Sequence, residues 1–133
     1  MKTLSADEVQ KLMPAGAWGT LLDEIYACPA AAWVHGPLSA ALNDALTGFR
    51  YVRDRFDCDD FARMAWTMAN LGNDNCPKDC GLAFGMFFYV QDSGVPHAIN
   101  FFIAEGVFFY EPQTQRIIEL SRKEIESCSE YIC

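Results

Sequence analysis

Three residues far apart in this 133-residue chain are the best suited to do chemistry: Cys58, His97 and Glu111. Cys58 sits in Phe56-Asp57-Cys58-Asp59-Asp60-Phe61-Ala62, where an acidic stretch leads into a helical pattern. Asp57 is a good N-cap, because its carboxylate can accept from the amide three residues on. Asp60 stands where a capping box wants an acid. Cys58 is thereby placed in the first helical turn, where free N–H groups and the helix dipole favour an anion, hence a thiolate. Asp57, Asp59 and Asp60 oppose that charge, so an activated thiol here needs a nearby imidazolium or metal. A nucleophilic cysteine also needs a base within reach and a group that orients the base. The chain has two histidines. His35 lies in a loop-like segment, whereas His97 opens a strand whose packing would hold the ring, so His97 is the better base.

The orienting group follows from strand parity. Side chains alternate faces, so His97, Ile99, Phe101 and Ile103 share one face and Asn100 points the other way. A two-residue loop at Glu105-Gly106 would put Glu111 opposite Asn100, on the wrong face. A three-residue loop, Ala104-Glu105-Gly106, puts Glu111 opposite Ile99 and one diagonal step from His97, about 7–8 Å between backbones. The three-residue form usually carries a left-handed glycine with a bulge, and Gly106 is placed for it. The expectation is therefore the three-residue turn, with Glu111 orienting His97.

The elements around these residues are read from periodicity. Ser5 and Glu8 form a capping box for a short helix that ends at Pro14. Leu21 to Tyr26 has helical spacing, and Pro37 to Leu46 reads as a third helix. The central helix runs from about Cys58 to Leu71, with a broad apolar face that takes in Leu71. Strands follow at 86–90, 95–104, 107–111 and 116–120, then a capped helix from Ser121 and an edge strand at Tyr131-Ile132. The layout is a single domain over 1–133, helices first and an antiparallel sheet after, an α+β arrangement.

A formal net charge of -8 argues against a nucleic-acid partner, which needs a basic surface. The main basic cluster, Arg50, Arg53 and Arg55, reads as solvated surface or as a counter-charge for the acids at 57, 59 and 60. The most apolar stretch, Leu82 to Val90, is too short to span a bilayer, so no membrane is expected. Met1-Lys2-Thr3-Leu4 does not open a signal peptide, and the six cysteines read as reduced thiols of a cytoplasmic protein. A zinc site would need Cys76 and Cys80 to meet Cys128 or Cys133.

Three motifs occur in order: Phe-Asp-Cys-Asp-Asp-Phe-Ala at 56–62, His97-Ala98-Ile99-Asn100, and Tyr110-Glu111-Pro112-Gln113-Thr114. Together they resemble the papain-like cysteine-protease domain of the fairy-ring mushroom agglutinin and its stand-alone bacterial and phage relatives. The resemblance implies a papain-like fold, with N-terminal helices and a central cysteine-bearing helix packed on an antiparallel sheet. It implies a Cys-His-Glu catalytic triad at Cys58, His97 and Glu111, and calcium as the metal to consider, with no ligands carried over. The expected function is cysteine-dependent acyl transfer on a peptide or protein substrate, as a peptidase or amidase of the hydrolase class. A transglutaminase-like acyltransferase and a non-catalytic interaction module that keeps the fold are the alternatives. In the last of these, Cys58 is an ordinary buried cysteine.

Overall fold

A computed structural model describes residues 1–133. The chain opens with β1 (Thr3–Ser5) and α1 (Ala6–Leu12). Ser5 caps α1, its N–H donating to Glu8 Oε2 at 2.8 Å while its Oγ accepts from the Glu8 N–H at 3.3 Å. Next come β2 (Trp18–Thr20) and β3 (Ile25–Ala27). The helix expected over Leu21–Tyr26 does not form. A short apolar run has no decisive period, and pairing decides it: β3 lies between β1 (Tyr26 opposite Leu4) and a later strand, Gly81–Leu82.

The third expected helix starts earlier than read. α2 (Ala31–Trp33) passes through a widened π-helical turn at Val34–Leu38 into α3 (Ser39–Leu46). Pro37 lies in the widened turn, where it removes an N–H donor. Ser39 Oγ donates to the Val34 carbonyl at 2.7 Å, five residues back, adding to the bond that carbonyl accepts from the Ser39 N–H. α4 (Cys58–Gly72) follows and buries Phe61, Ala62, Ala65 and Ala69. Leu71 is 79% exposed, so the buried stripe is narrower than expected.

The second half contains β4 (Gly81–Leu82), β5 (Phe84–Val90), β6 (Pro96–Ile103), β7 (Val107–Glu111) and β8 (Arg116–Ile118), then α5 (Arg122–Glu126) and β9 (Glu130–Ile132). The large sheet has the order β2-β9-β5-β6-β7-β8, and β1-β3-β4 forms a second sheet. One face of the large sheet packs Phe87, Ile99, Phe101 and Phe109 against Val9 of α1. The other packs Phe84, Phe102 and Tyr110 against α3 and α4.

The papain-like α+β layout expected from the sequence, helices first and one antiparallel sheet after, is therefore not the one observed. Three strands lie in the first 27 residues, and both sheets are mixed, with β2–β9 and β3–β4 parallel. The reason is long-range pairing. Trp18–Thr20 finds its partner at Glu130–Ile132, which no local pattern announces.

Candidate functional site: the cleft at the tip of α4

Asp57 has extended backbone and precedes the helix, and its C=O accepts the first helical bond from the Phe61 N–H at 3.1 Å. Asp60 Oδ2 reaches back to the Asp57 N–H at 3.2 Å, as a capping acid should. Cys58 is thus the first residue of α4 and is half-buried. Burial is the chief force pushing its thiol above the ordinary range, and the charges of Asp57 and Asp59 add to it. The backbone N–H groups of Ala98 and Asp59 pull the other way and do not win. The helix tip alone does not make this thiol a thiolate.

β6 supplies His97. The hairpin into β7 pairs Ile103 with Val107, so the loop is the three-residue one, Ala104-Glu105-Gly106. Gly106 is not left-handed; positive φ glycines occur only at 48 and 94. The register is as expected, although the backbone reaches it another way. Glu111 Oε2 lies 2.6 Å from His97 Nε2, and each side chain is 14% exposed. Glu111 Oε1 accepts from the Gln113 N–H at 3.1 Å, so both carboxylate oxygens are held. The Tyr89 ring meets the His97 ring edge-on, with centroids 5.9 Å apart.

Cys58 and His97 line one cleft of about 460 Å³, together with Asp59, Tyr89, Ala98 and Ser129. Glu111 stands behind His97. The structure brings a thiol and an imidazole–carboxylate pair to the same opening, where strand end and helix tip meet. Asn100 is on the opposite face, as parity requires. Its Nδ2 donates to the Ala62 carbonyl at 2.8 Å and the Gly85 carbonyl at 3.0 Å, which ties α4 to β5 and β6. Sequence reasoning did not find this tie. A buried amide in the middle of the apolar run Ala98–Ile103 was the available signal.

Asp57, Asp59 and Asp60 bring their oxygens within 4.8 Å of one another and form the one group able to hold a cation. Arg63 already engages Asp59 at 3.3 Å and Asp60 at 2.9 Å. The counter-charge is thus Arg63, one turn along the same helix, and not the arginines at 50, 53 and 55. Asp57 is pushed up to about 6, chiefly by its hydrogen bond with Asp59, and Asp59 is lowered by the same bond. The cysteine cluster a zinc site would need does not assemble. Cys76 Sγ donates to carbonyls of its own loop, and Cys133 Sγ to the Leu82 carbonyl.

Residues 20–125 match the family described as the ricin-type beta-trefoil lectin C-terminal domain. The chain belongs to this family. No curated protein matches the chain. Among solved structures, this lectin C-terminal domain is similar to the PSL1a–E64 complex, with 22% identity and a TM-score of 0.77 over 98% of this chain and 51% of the other. It is also similar to the Polyporus squamosus lectin bound to the human-type influenza-binding epitope Neu5Aca2-6Galb1-4GlcNAc, with 24% identity and a TM-score of 0.75 over 98% of this chain and 49% of the other. The domain spans about half the length of the structures it matches, and shares its fold with that half.

These matches correct the reading drawn from three short motifs. The family is a lectin C-terminal domain and one of the solved structures that share its fold is a lectin, so the papain-like cysteine-protease assignment is replaced, and the labels hydrolase, thiol protease and catalytic triad go with it. Each motif also has a local cause. Phe-Asp-Cys-Asp-Asp-Phe-Ala is what a capped amphipathic helix start looks like, and a strand histidine bonded to a neighbouring carboxylate is a stable cross-strand pair. The calcium implied by that resemblance loses its basis as well.

Proposed function

We propose that this chain is an interaction module of a carbohydrate-binding protein, with a carbohydrate rather than a peptide as its partner. The observation that carries the reading is membership of the lectin C-terminal domain family over residues 20–125. A glycan is the ligand of a lectin that shares this fold over about half its length. The surroundings of Cys58 agree with a binding role, since burial and two adjacent carboxylates push the thiol above its ordinary range. The test is titration calorimetry of the intact chain with the trisaccharide Neu5Aca2-6Galb1-4GlcNAc. Saturable heat is the expected result. A flat titration up to about 10 mM, where even millimolar affinity would register, sinks the reading.

One observation favours a second reading. His97 and Glu111 are 2.6 Å apart in the cleft that Cys58 lines, and the arrangement suits cysteine-dependent acyl transfer. In it, His97 takes the Cys58 proton as the sulfur attacks an amide carbonyl. The Cys58 backbone N–H holds the oxyanion, and Glu111 steadies the charged imidazole. The amine leaves with the proton from His97, and water or a second amine then releases the acyl group from sulfur. Iodoacetamide separates the readings. A raised thiol pKa means less thiolate at pH 7, so the binding module alkylates at Cys58 more slowly than free cysteine and gains rate only in alkaline buffer. A Cys58 rate above that of free cysteine, lost in His97→Ala, establishes the second reading in its place.

A further inference from the structure

We infer that Cys76 and Cys80 form a reversible disulfide across the loop between α4 and β4, by exchange with a small disulfide such as oxidised glutathione. Both thiols are free in this structure, and they are the one pair among the six cysteines that shares a loop. The site lies apart from the Cys58 cleft. α4 runs 15 residues, about 22 Å, from Cys58 at its tip to this loop at its far end.

The loop folds as two consecutive turns. The Cys76 N–H donates to the Asn73 carbonyl at 3.1 Å, and the Cys80 N–H to the Pro77 carbonyl at 3.2 Å. A β-turn keeps its end residues within about 7 Å, close to the Cα span of about 4.4–6.8 Å that a disulfide bridges. Cys80 is one end of the second turn, and Cys76 is joined directly to the other. The reversal brings the Cys76 sulfur against the backbone of its partner. Sγ lies 3.5 Å from the Cys80 carbonyl oxygen and 3.8 Å from that of Gly81. Pro77 fixes a backbone torsion between the two thiols, so closing the ring costs less chain entropy.

Access selects this pair. Cys28, Cys128 and Cys133 are buried, whereas Cys76 and Cys80 are partly exposed. One of the two, as thiolate, attacks a sulfur of oxidised glutathione and expels glutathione thiolate. The other attacks the protein sulfur of that mixed disulfide and expels the second glutathione. Two protein thiols are oxidised, one glutathione disulfide is reduced, and the two departing thiolates take up the two protons. Burial pushes the Cys76 thiol up, so the exchange runs faster in alkaline buffer. Closure leaves only Asn73 to Asn75 between α4 and the ring, which stiffens the link from α4 to β4. An exposed bond is readily reduced again, which makes the device reversible.

The experiment equilibrates the intact chain in glutathione buffers, alkylates the remaining thiols, and maps tryptic peptides without reductant. Trypsin cuts after Arg63, Lys78 and Arg116, so peptides 64–78 and 79–116 each carry one cysteine, Cys76 and Cys80. At about a tenfold excess of oxidised over reduced glutathione, most of the chain should have lost two hydrogens. Peptides 64–78 and 79–116 should then run joined, and part on adding dithiothreitol. Cys76→Ser should instead carry one glutathione on Cys80. Glutathione retained on both cysteines without closure overturns the inference. So does peptide 64–78 joined to any other cysteine, or two thiols that stay reduced throughout.

Discussion

The middle of α4 and its N-terminal tip are built by opposite rules. At the middle, Phe61, Ala65 and Ala69 pack on Phe84, Phe102 and Tyr110 with no charge present. The small alanines let the helix approach the sheet closely enough for Asn100 to reach the Ala62 carbonyl at 2.8 Å. At the tip, three carboxylates, Arg63 and a half-buried thiol face the cleft or water. Packing supplies most of the stability at the middle. At the tip, hydrogen bonds set orientation and contribute little energy. A cleft can carry awkward groups, a half-buried thiol among acids included, because the packing behind it fixes the helix.

That contrast can be broken by substitution, and the expected effects run from large to small. Phe102→Ala removes a fully buried ring stacked on Phe84 and Phe108 at 6.2 and 5.2 Å, and should cost about 3–5 kcal/mol in urea unfolding. Asn100→Ala should cost about 2 kcal/mol by the same measurement, because two carbonyls lose a buried donor. If its loss were no greater than that of a surface substitution, the tie between helix and sheet would not be real.

Glu111→Gln keeps the shape of the His97 partner and removes its charge. It should cost about 1 kcal/mol, with a clear shift of the His97 Nε2 signal in nitrogen NMR. Arg63→Ala breaks two exposed pairs and should cost no more than about 0.5 kcal/mol, a difference that salt removes. A larger cost would mean that the tip is held by charge after all.

The smallest effect is on pH dependence. Asp57, raised to about 6, keeps a proton in the folded chain that the unfolded chain releases near 3.8. Its stabilising contribution is complete below that lower value and fades as pH rises through about 6. Asp59, lowered by the shared hydrogen bond, works in the opposite sense, losing its contribution as pH falls. Carbon NMR of the carboxyl groups should show Asp57 titrating near 6, and Asp59→Asn should return it toward the ordinary range. An unchanged midpoint in that variant rules out the Asp57–Asp59 bond as the cause.

Local features were the legible ones. The helix starts at Ser5 and Ser121 and the capping acid at Asp60 depend on side chains three residues apart, and all are present. The three-residue hairpin was expected from Gly106 as its left-handed residue; the register agrees, although Gly106 is not left-handed. The strand at Ile25–Ala27 was read as helix because its spacing serves either state, and its partners lie at Thr3–Ser5 and Gly81–Leu82. The family was misjudged for a similar reason. Short motifs record local demands for caps and cross-strand pairs, while the match over residues 20–125 records the fold as a whole.

By itself, then, the sequence determined where helices begin, how strands alternate, and that one thiol would sit at a helix tip among acids. These outcomes depend on interactions across a few residues, whose geometry the backbone dictates. Tertiary structure alone decided which strands pair across 112 residues, that Asn100 would fasten α4 to the sheet, and that burial would push the Cys58 thiol above its ordinary range. Those outcomes depend on what is excluded from water and what lies opposite, and neither is defined until the chain has closed on itself.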